Sequence, residues 1–268
     1  MVAHKAAETR RIGDDSPSVA GERGQMRILV LGGTEEGRAL SDHLVSMGHE
    51  VTTSFAGHTR EPIVPKGDIH VGGFGGSLGL AAFLRSNGFQ RLVDATHPYS
   101  VKIATHAVHA AKAAAIPLVR VARPEWNADN YDGWTMVGST PEAANVLPRG
   151  ARVLLTIGHR DIDLFMARGD CWFVVRTIEP IDDQLPPNAT VVMGRPPYFV
   201  GQEKELMYGE QITHLVSKNS GGVQTEAKLQ AAQQLNIPVV MIARPKLLPA
   251  TEAATVGRAI AALHLERP

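Results

Sequence analysis

Ile116-Pro117-Leu118-Val119-Arg120-Val121-Ala122-Arg123-Pro124 returns later in the chain as Ile237-Pro238-Val239-Val240-Met241-Ile242-Ala243-Arg244-Pro245. Each copy is a short apolar, β-branched run that closes on Arg-Pro, which reads as a buried strand followed by an exit from the sheet. At the same offset Ala110-Ala111 falls on Ala231-Ala232, and Asp94-Ala95-Thr96-His97 falls on Leu215-Val216-Ser217-Lys218. Near the start of each half, Arg27-Ile28-Leu29-Val30-Leu31 is answered by Arg152-Val153-Leu154-Leu155-Thr156. A strand–loop–helix–strand unit is used twice, and internal repetition constrains architecture before any other signal.

Working outward from the repeat, strands are expected at 27–31, 51–55, 69–71, 91–95 and 117–121, with helices at 36–47, 77–87 and 99–115 between them. The second half repeats the alternation. Strands are expected near 152–157, 171–177, 190–193, 212–217 and 238–242, and helices near 161–168, 201–208, 223–235 and 251–264. Residues 124–150, rich in Pro, Gly, Asn and Asp, read as the crossing, with a short strand at 134–137 and a short helix at 141–147. Strands apolar on both faces and separated by helices imply parallel sheets covered on both sides. The expected fold is therefore α/β: two doubly wound, Rossmann-like parallel-sheet domains related by internal duplication, with an interdomain cleft. Their expected bounds are 26–138 and 139–268, after a disordered extension at 1–25. One large sheet is the alternative.

The 268 residues carry 27 basic and 27 acidic side chains, so no global field draws the chain to nucleic acid or to a membrane surface. The single cysteine, Cys171, excludes an internal disulfide and a cysteine-cluster metal site, and no metal site is expected. No apolar stretch approaches the roughly 20 residues of a membrane span, and residues 1–25 lack the apolar core of a secretory signal. A cytoplasmic protein, with a monomer as the default state, is the expectation.

Ligands of open α/β sheets bind beyond the carboxyl ends of the strands. Directly after strand 27–31 comes Gly32-Gly33-Thr34-Glu35-Glu36-Gly37, opening a helix. Glycines there let backbone amides approach a phosphate, and the helix N-terminus adds free N–H groups and partial positive charge. The spacing differs from G-x-G-x-x-G, so a plain strand–helix turn capped by Thr34 stays open. An NAD site usually holds an acid at the end of the second strand. Here that region reads Val51-Thr52-Thr53-Ser54-Phe55 and continues to Arg60 without a carboxylate, and Ser54 and Arg60 suit a 2′-phosphate. His97 and Tyr99, after the fourth strand, are candidates for proton or hydrogen-bond donation. The equivalent loop of the second half, Ser217-Lys218-Asn219-Ser220-Gly221-Gly222, is a second candidate anion cradle. Arg123 and Arg244, with Arg160 nearby in the second half, end strands where they could hold carboxylates. Tyr99 and Lys102 are three residues apart, against the four that a short-chain dehydrogenase needs. The Walker lysine and the nucleophile elbow are also missing.

Taken in order, several pieces carry a resemblance: residues 31–38, 94–99, 120–126, 154–158, 216–222 and 242–245. Together they resemble the precorrin-6A reductase family of corrin-ring biosynthesis, over about residues 26–246. Two segments depart from its pattern. Gly194-Arg195-Pro196-Pro197-Tyr198-Phe199 has one residue more than the family's Gly-Pro-Phe, and Asn219 stands where the family usually has Asp. The resemblance implies NADPH as cofactor and a large tetrapyrrole with acidic arms as substrate, reduced at one double bond. Carried onto this chain, Gly32, Gly33, Thr34, Glu36, Gly37, Ser54, Arg60, Lys218, Ser220, Gly221 and Gly222 would contact the cofactor. Thr96, Arg123, Arg160 and Arg244 would contact the substrate, with His97 and Tyr99 as catalytic candidates. Which half holds the dinucleotide, and whether the ring carries cobalt, stay open. So does a non-catalytic nucleotide-binding protein of the same fold.

Overall fold

The computed structural model describes residues 24–57, 63–158, 161–181 and 185–264. The expectation of disorder at 1–25 therefore lies, but for its last two residues, outside the described part. Five strands open the chain: β1 (Arg27–Leu31), β2 (Glu50–Phe55), β3 (Asp68–Val71), β4 (Arg91–Asp94) and β5 (Leu118–Val121). They alternate with α1 (Glu35–Ser46), α2 (Gly76–Ser86) and α3 (Val101–Ala114). The chain then supplies β6 (Trp134–Val137), α4 (Thr140–Val146), β7 (Arg152–Thr156), α5 (Asp163–Met166), β8 (Trp172–Thr177) and β9 (Ala189–Met193). After these come α6 (Val200–Gly209), β10 (His214–Lys218), α7 (Ala227–Gln234), β11 (Val239–Ile242), β12 (Thr251–Ala253) and α8 (Val256–Ala262).

Two six-stranded sheets result, ordered β12-β5-β4-β1-β2-β3 and β6-β11-β10-β7-β8-β9, and every pairing is parallel. The expected pair of doubly wound sheets is observed, not one large sheet. Alternation along β1 accounts for the two-sided burial. Ile28 and Val30 pack with Leu40, Leu44 and Ala259 on one face, while Leu29 and Leu31 pack with Leu80, Leu84 and Ala107 on the other. In β7 the split falls between Val153 and Leu155 on one side and Leu154 on the other.

The sheets do not follow the expected bounds of 26–138 and 139–268. β6 lies before that boundary yet pairs with β11, and β12 lies far beyond it yet pairs with β5. Residues 251–264 were expected as one helix. Instead Thr251–Ala253 extends beside Val119–Val121, and the Ala122 N–H donates to the Ala253 carbonyl at 2.9 Å. Helix α8 starts only where the Thr255 hydroxyl caps it, accepting from the Arg258 N–H. Pairing follows spatial adjacency, and the two exits make the outer strands adjacent to the other half. The two strands of the repeated phrase, β5 and β11, are the ones that receive these exchanged neighbours.

Pairing also corrects the alignment of the repeat. Leu92 pairs with Leu118, and Leu215 with Val239, while Leu118 and Val239 are the equivalent positions of the phrase. Leu92 therefore corresponds to Leu215, so Asp94 matches Ser217 and the intervening helix segments differ in length by two residues.

Candidate functional site

Three glycines of the first loop do three different things. A Cβ on Gly32 would lie 2.8 Å from the Thr53 methyl and 3.3 Å from the Phe55 ring, and its N–H donates to the Ser54 carbonyl at 2.9 Å. Gly37 would meet the Ala95 Cβ at 2.9 Å, so its hydrogen lets α1 lie against the end of β4. Gly33, at φ +127°, has nothing within 4 Å of a Cβ. Its corner is open to a ligand, and its backbone favours glycine. The Thr34 hydroxyl caps α1, accepting from the Gly37 N–H at 3.1 Å and donating to the Ala95 carbonyl at 2.9 Å. Glu36, in the first turn, pairs with Arg123 at 3.0 Å. Ser54 is buried at the end of β2, and Ala56-Gly57 follow it with no acid among the described residues there. Arg60 and Arg160, both expected at the site, lie outside the described residues.

The second candidate loop, which follows β10 as Thr96–His97 follows β4, is closed. Gly221 and Gly222 sit at φ +67° and +89°. A Cβ on Gly221 would collide with the Pro124 carbonyl, and one on Gly222 would lie 3.2 Å from the Arg123 guanidinium. Ser220 is buried, and its carbonyl accepts from Arg123 Nε at 2.8 Å and Arg244 Nη2 at 3.0 Å. The Lys218 ammonium donates to the Ile157 carbonyl and to Asp161, both at 3.0 Å. The loop expected as an anion cradle is filled by the two arginines of the repeat, and Lys218 is already paired. These residues build the junction between the sheets.

Tyr99 belongs to the same junction. Its hydroxyl donates to the Ile242 carbonyl at 2.5 Å and accepts from the Asn219 N–H at 2.8 Å. Burial pushes its pKa up to about 12. A phenol so held joins the carboxyl end of β4 to those of β10 and β11. Of the two parts expected of Tyr99, hydrogen-bond donation is the one this geometry displays. His97 faces Arg123, Lys218 and Arg244, and burial followed by these positive charges lowers its pKa to about 3. Its Nδ1 accepts from the Tyr99 N–H at 3.4 Å. The imidazole is neutral at physiological pH, so it can donate or accept a hydrogen bond but carries no acidic proton. Thr96 donates its hydroxyl to Asp94 at 2.7 Å.

Beside His97 opens a cavity of about 340 Å³, at the carboxyl ends of β4 and β5 and under the return segment that begins at Arg244. Its charged lining comprises Asp94, Glu125 and Glu252 against Arg120, Arg244 and Lys246, so formal charge balances. Arg120 and Asp94 are paired at 3.0 Å, both buried, and Arg120 also donates to the Leu248 carbonyl. Asp94, Arg120, Glu125, Lys246 and Glu252 line this cavity and were not among the site residues expected from the sequence. One signal was available for the first two: an arginine inside an apolar strand needs a buried partner, and the register places Asp94 opposite Arg120. The others come from the return segment and the linker, whose approach no local pattern encodes. Asn219, notable in the sequence only as a departure, is 2% exposed and sits at the centre of the junction.

Against known proteins, residues 27–264 match the family model described as Precorrin-6x reductase CbiJ/CobK. A protein of Rhodococcus erythropolis named precorrin-6A reductase is 46% identical over 228 residues, covering 84% of this chain and 92% of its own. One from Priestia megaterium named cobalt-precorrin-6A reductase is 28% identical, over 88% of this chain and 97% of its own. Among solved structures, one described as CobK precorrin-6A reductase superposes with a TM-score of 0.85 at 37% identity, covering 89% of this chain and 96% of that chain.

Proposed function

This chain belongs to the precorrin-6x reductase family, oxidoreductases of corrin biosynthesis, and we propose that it reduces precorrin-6A with NADPH bound over the first sheet. The observation that carries the cofactor assignment is that the Gly33 corner opens directly onto the N-terminus of the 12-residue α1, whereas the Gly221 corner is plugged and the open Gly158 corner precedes only the 4-residue α5. The N–H groups at the start of α1 and the glycine corner would hold the pyrophosphate. The acid-free end of β2 leaves room for a 2′-phosphate, which favours NADPH over NADH. In a sheet of this order the dinucleotide crosses from β2 over β1 towards β4. The charge-balanced cavity beside Thr96 and His97 would then receive its uncharged nicotinamide end. When bound, the cofactor supplies the hydride.

The protein's own residues position the ring and exclude alternatives. Arg244 and Lys246 stand at the cavity mouth to meet acidic arms, while Arg123 is tied to Glu36 and Ser220 and orients the loops. Ile178, Met193, Phe199 and Val223 are large, exposed and apolar at the carboxyl edge of the second sheet, suited to the flat face of a macrocycle. His97, uncharged, would hydrogen-bond to the ring or its arms. The proton that completes the reduction would come from water, since neither His97 nor Tyr99 can release one readily.

A cobalt-containing ring is the second reading. It is disfavoured because relatives named for the metal-free substrate are 37–46% identical, while those named for the cobalt form are 24–30% identical. The deciding assay follows NADPH consumption with each ring form and repeats it with NADH. Turnover of metal-free precorrin-6A with NADPH is expected, and silence with both rings would overturn the proposal.

A further inference from the structure

Asn219 holds the junction through both its backbone and its side chain. Its N–H donates to Tyr99 Oη at 2.8 Å and to the Ile242 carbonyl at 3.0 Å, and its own carbonyl accepts from Arg244 Nε at 2.8 Å. Its side chain grips the linker. Oδ1 accepts from the Trp126 N–H at 2.9 Å, and Nδ2 donates to the Trp126 carbonyl at 3.2 Å and to Glu125 Oε2 at 3.4 Å. Only a side chain with one donor and one acceptor arm can satisfy both sides of that residue's backbone. Asp would keep the acceptor, lose the donor, and set a second carboxylate against Glu125.

We infer that Asn219 is a positioning residue, whose amide clamps the linker at Trp126 and leaves Glu125, free of a second carboxylate at position 219, to face Arg244 at the cavity. Glu125 Oε1 lies 3.5 Å from Arg244 Nε and is half-exposed. The other charged or titratable groups around it are Tyr99 and Arg123 of the junction, Asp94, His97, Arg120, Lys246 and Glu252 of the cavity, and Lys228, 4.7 Å from the Trp126 ring, whose pKa burial lowers to about 7. Lys228 is common to wild type and every variant, so each variant is read against wild type at the same pH. Tyr99 and His97 do not change charge at mildly acidic to mildly alkaline pH, because their pKa values lie at about 12 and about 3.

The test is Asn219→Asp, alone and with Glu125→Gln, read by thermal unfolding from about pH 5.5 to about pH 8 and by the KM for precorrin-6A. Two adjacent carboxylates raise the pH at which the pair gives up its last proton. Below it, the carboxyl introduced at position 219 is protonated and regains the donor that the amide supplied. N219D should therefore unfold close to wild type at about pH 5.5 and progressively earlier at higher pH. Its KM should rise about tenfold at about pH 8, where one lost charge-linked hydrogen bond has that order of effect, with kcat changed less than about threefold. The pH dependence should disappear in N219D/E125Q and be absent in Asn219→Ala. A deficit of equal size at every pH, or one that survives Glu125→Gln, would overturn the inference. The KM arm rests on the reductase reading and the unfolding arm does not. Wild type that is silent with precorrin-6A, beside a pH-dependent N219D deficit, would sink the former and keep the latter.

Discussion

Gly33→Asp and Gly221→Ala should fail in opposite ways. At Gly33 there is open space, so the new carboxylate collides with nothing in the protein. It would instead face the dinucleotide phosphates. At about 5 Å and an effective dielectric of about 20, one pair of like charges costs about 3 kcal/mol, above about 100-fold in Kd. Backbone strain at φ +127° adds about 1–3 kcal/mol to folding. At Gly221 the order reverses. An alanine at φ +67° costs about 1–2 kcal/mol in left-handed backbone, and displacing the Pro124 carbonyl adds about 1–3 kcal/mol. With about 2–4 °C per kcal/mol for a chain of this size, G221A should melt about 5–15 °C early. Fluorescence titration with NADPH, paired with thermal unfolding, gives both axes. G33D should lose NADPH while remaining folded, and G221A should lose stability while the surviving folded fraction still binds. If G33D binds NADPH within about threefold of wild type, or G221A abolishes binding with an unchanged melting temperature, the assignment of the two loops is wrong.

Tyr99→Phe removes one donor and one acceptor, but the Asn219 N–H retains the Ile242 carbonyl. A loss of about 1–2 kcal/mol in stability is expected, with kcat within about tenfold; a drop of about 100-fold in kcat at unchanged stability would restore Tyr99 as a proton donor. His97 is neutral in the fold and has an ordinary value of 6.5 when unfolded, so the unfolded chain binds the extra proton between about pH 6.5 and 3. Its contribution is intact above about pH 6.5 and lost as pH falls towards 3; His97→Asn should flatten part of the acid branch of the stability curve, and an unchanged branch would refute the shift. Truncation after Pro249 removes β12 and α8, baring the β5 edge and the face packed by Ala253, Ala259 and Leu263. Hydrogen exchange should then accelerate in β4, β5 and α1 of the first sheet, and a loss confined to the second sheet would contradict the exchanged pairing.

How far the chain could be read in advance depended on the range of each signal. The core strands β1, β4, β5, β7, β10 and β11 were legible because both faces are buried, so the residues themselves are largely apolar. β12 was not. Thr251-Glu252-Ala253 has only Ala253 buried, and its strand character comes from the β5 edge it meets. β6 was legible as a strand, but its partner was not, since Trp134–Val137 carries no mark that it belongs beside β11. Arg123 and Arg244 were correctly seen at equivalent strand ends. Besides Glu36 and Glu125, their partners are the Asn219 and Ser220 carbonyls, backbone groups that leave no trace in the sequence. Gly33 and Gly221 look alike as letters, and only the distant Pro124 tells them apart.

That difference between the two glycine loops follows from the exchange itself. Each copy of the repeated strand leaves its sheet through Arg-Pro, and each exit must cross to the other half to deliver β6 or β12. The first crossing passes over the end of β10, where Pro124 and Arg123 fill the corner of the second-half loop and Trp126 is seized by Asn219. The second crossing, from Arg244 onward, roofs the ends of β4 and β5 and forms the cavity wall instead of filling the counterpart loop at Thr96–His97. A symmetric duplication would treat the loops after β4 and β10 alike. Here the first crossing closes the β10 loop, and the guanidinium that closes it, Arg123, reaches back to Glu36 at the mouth of the Gly33 corner. The junction that ties the two sheets together therefore closes the loop after β10 and leaves the Gly33 corner open, with the charge-balanced cavity at its far end.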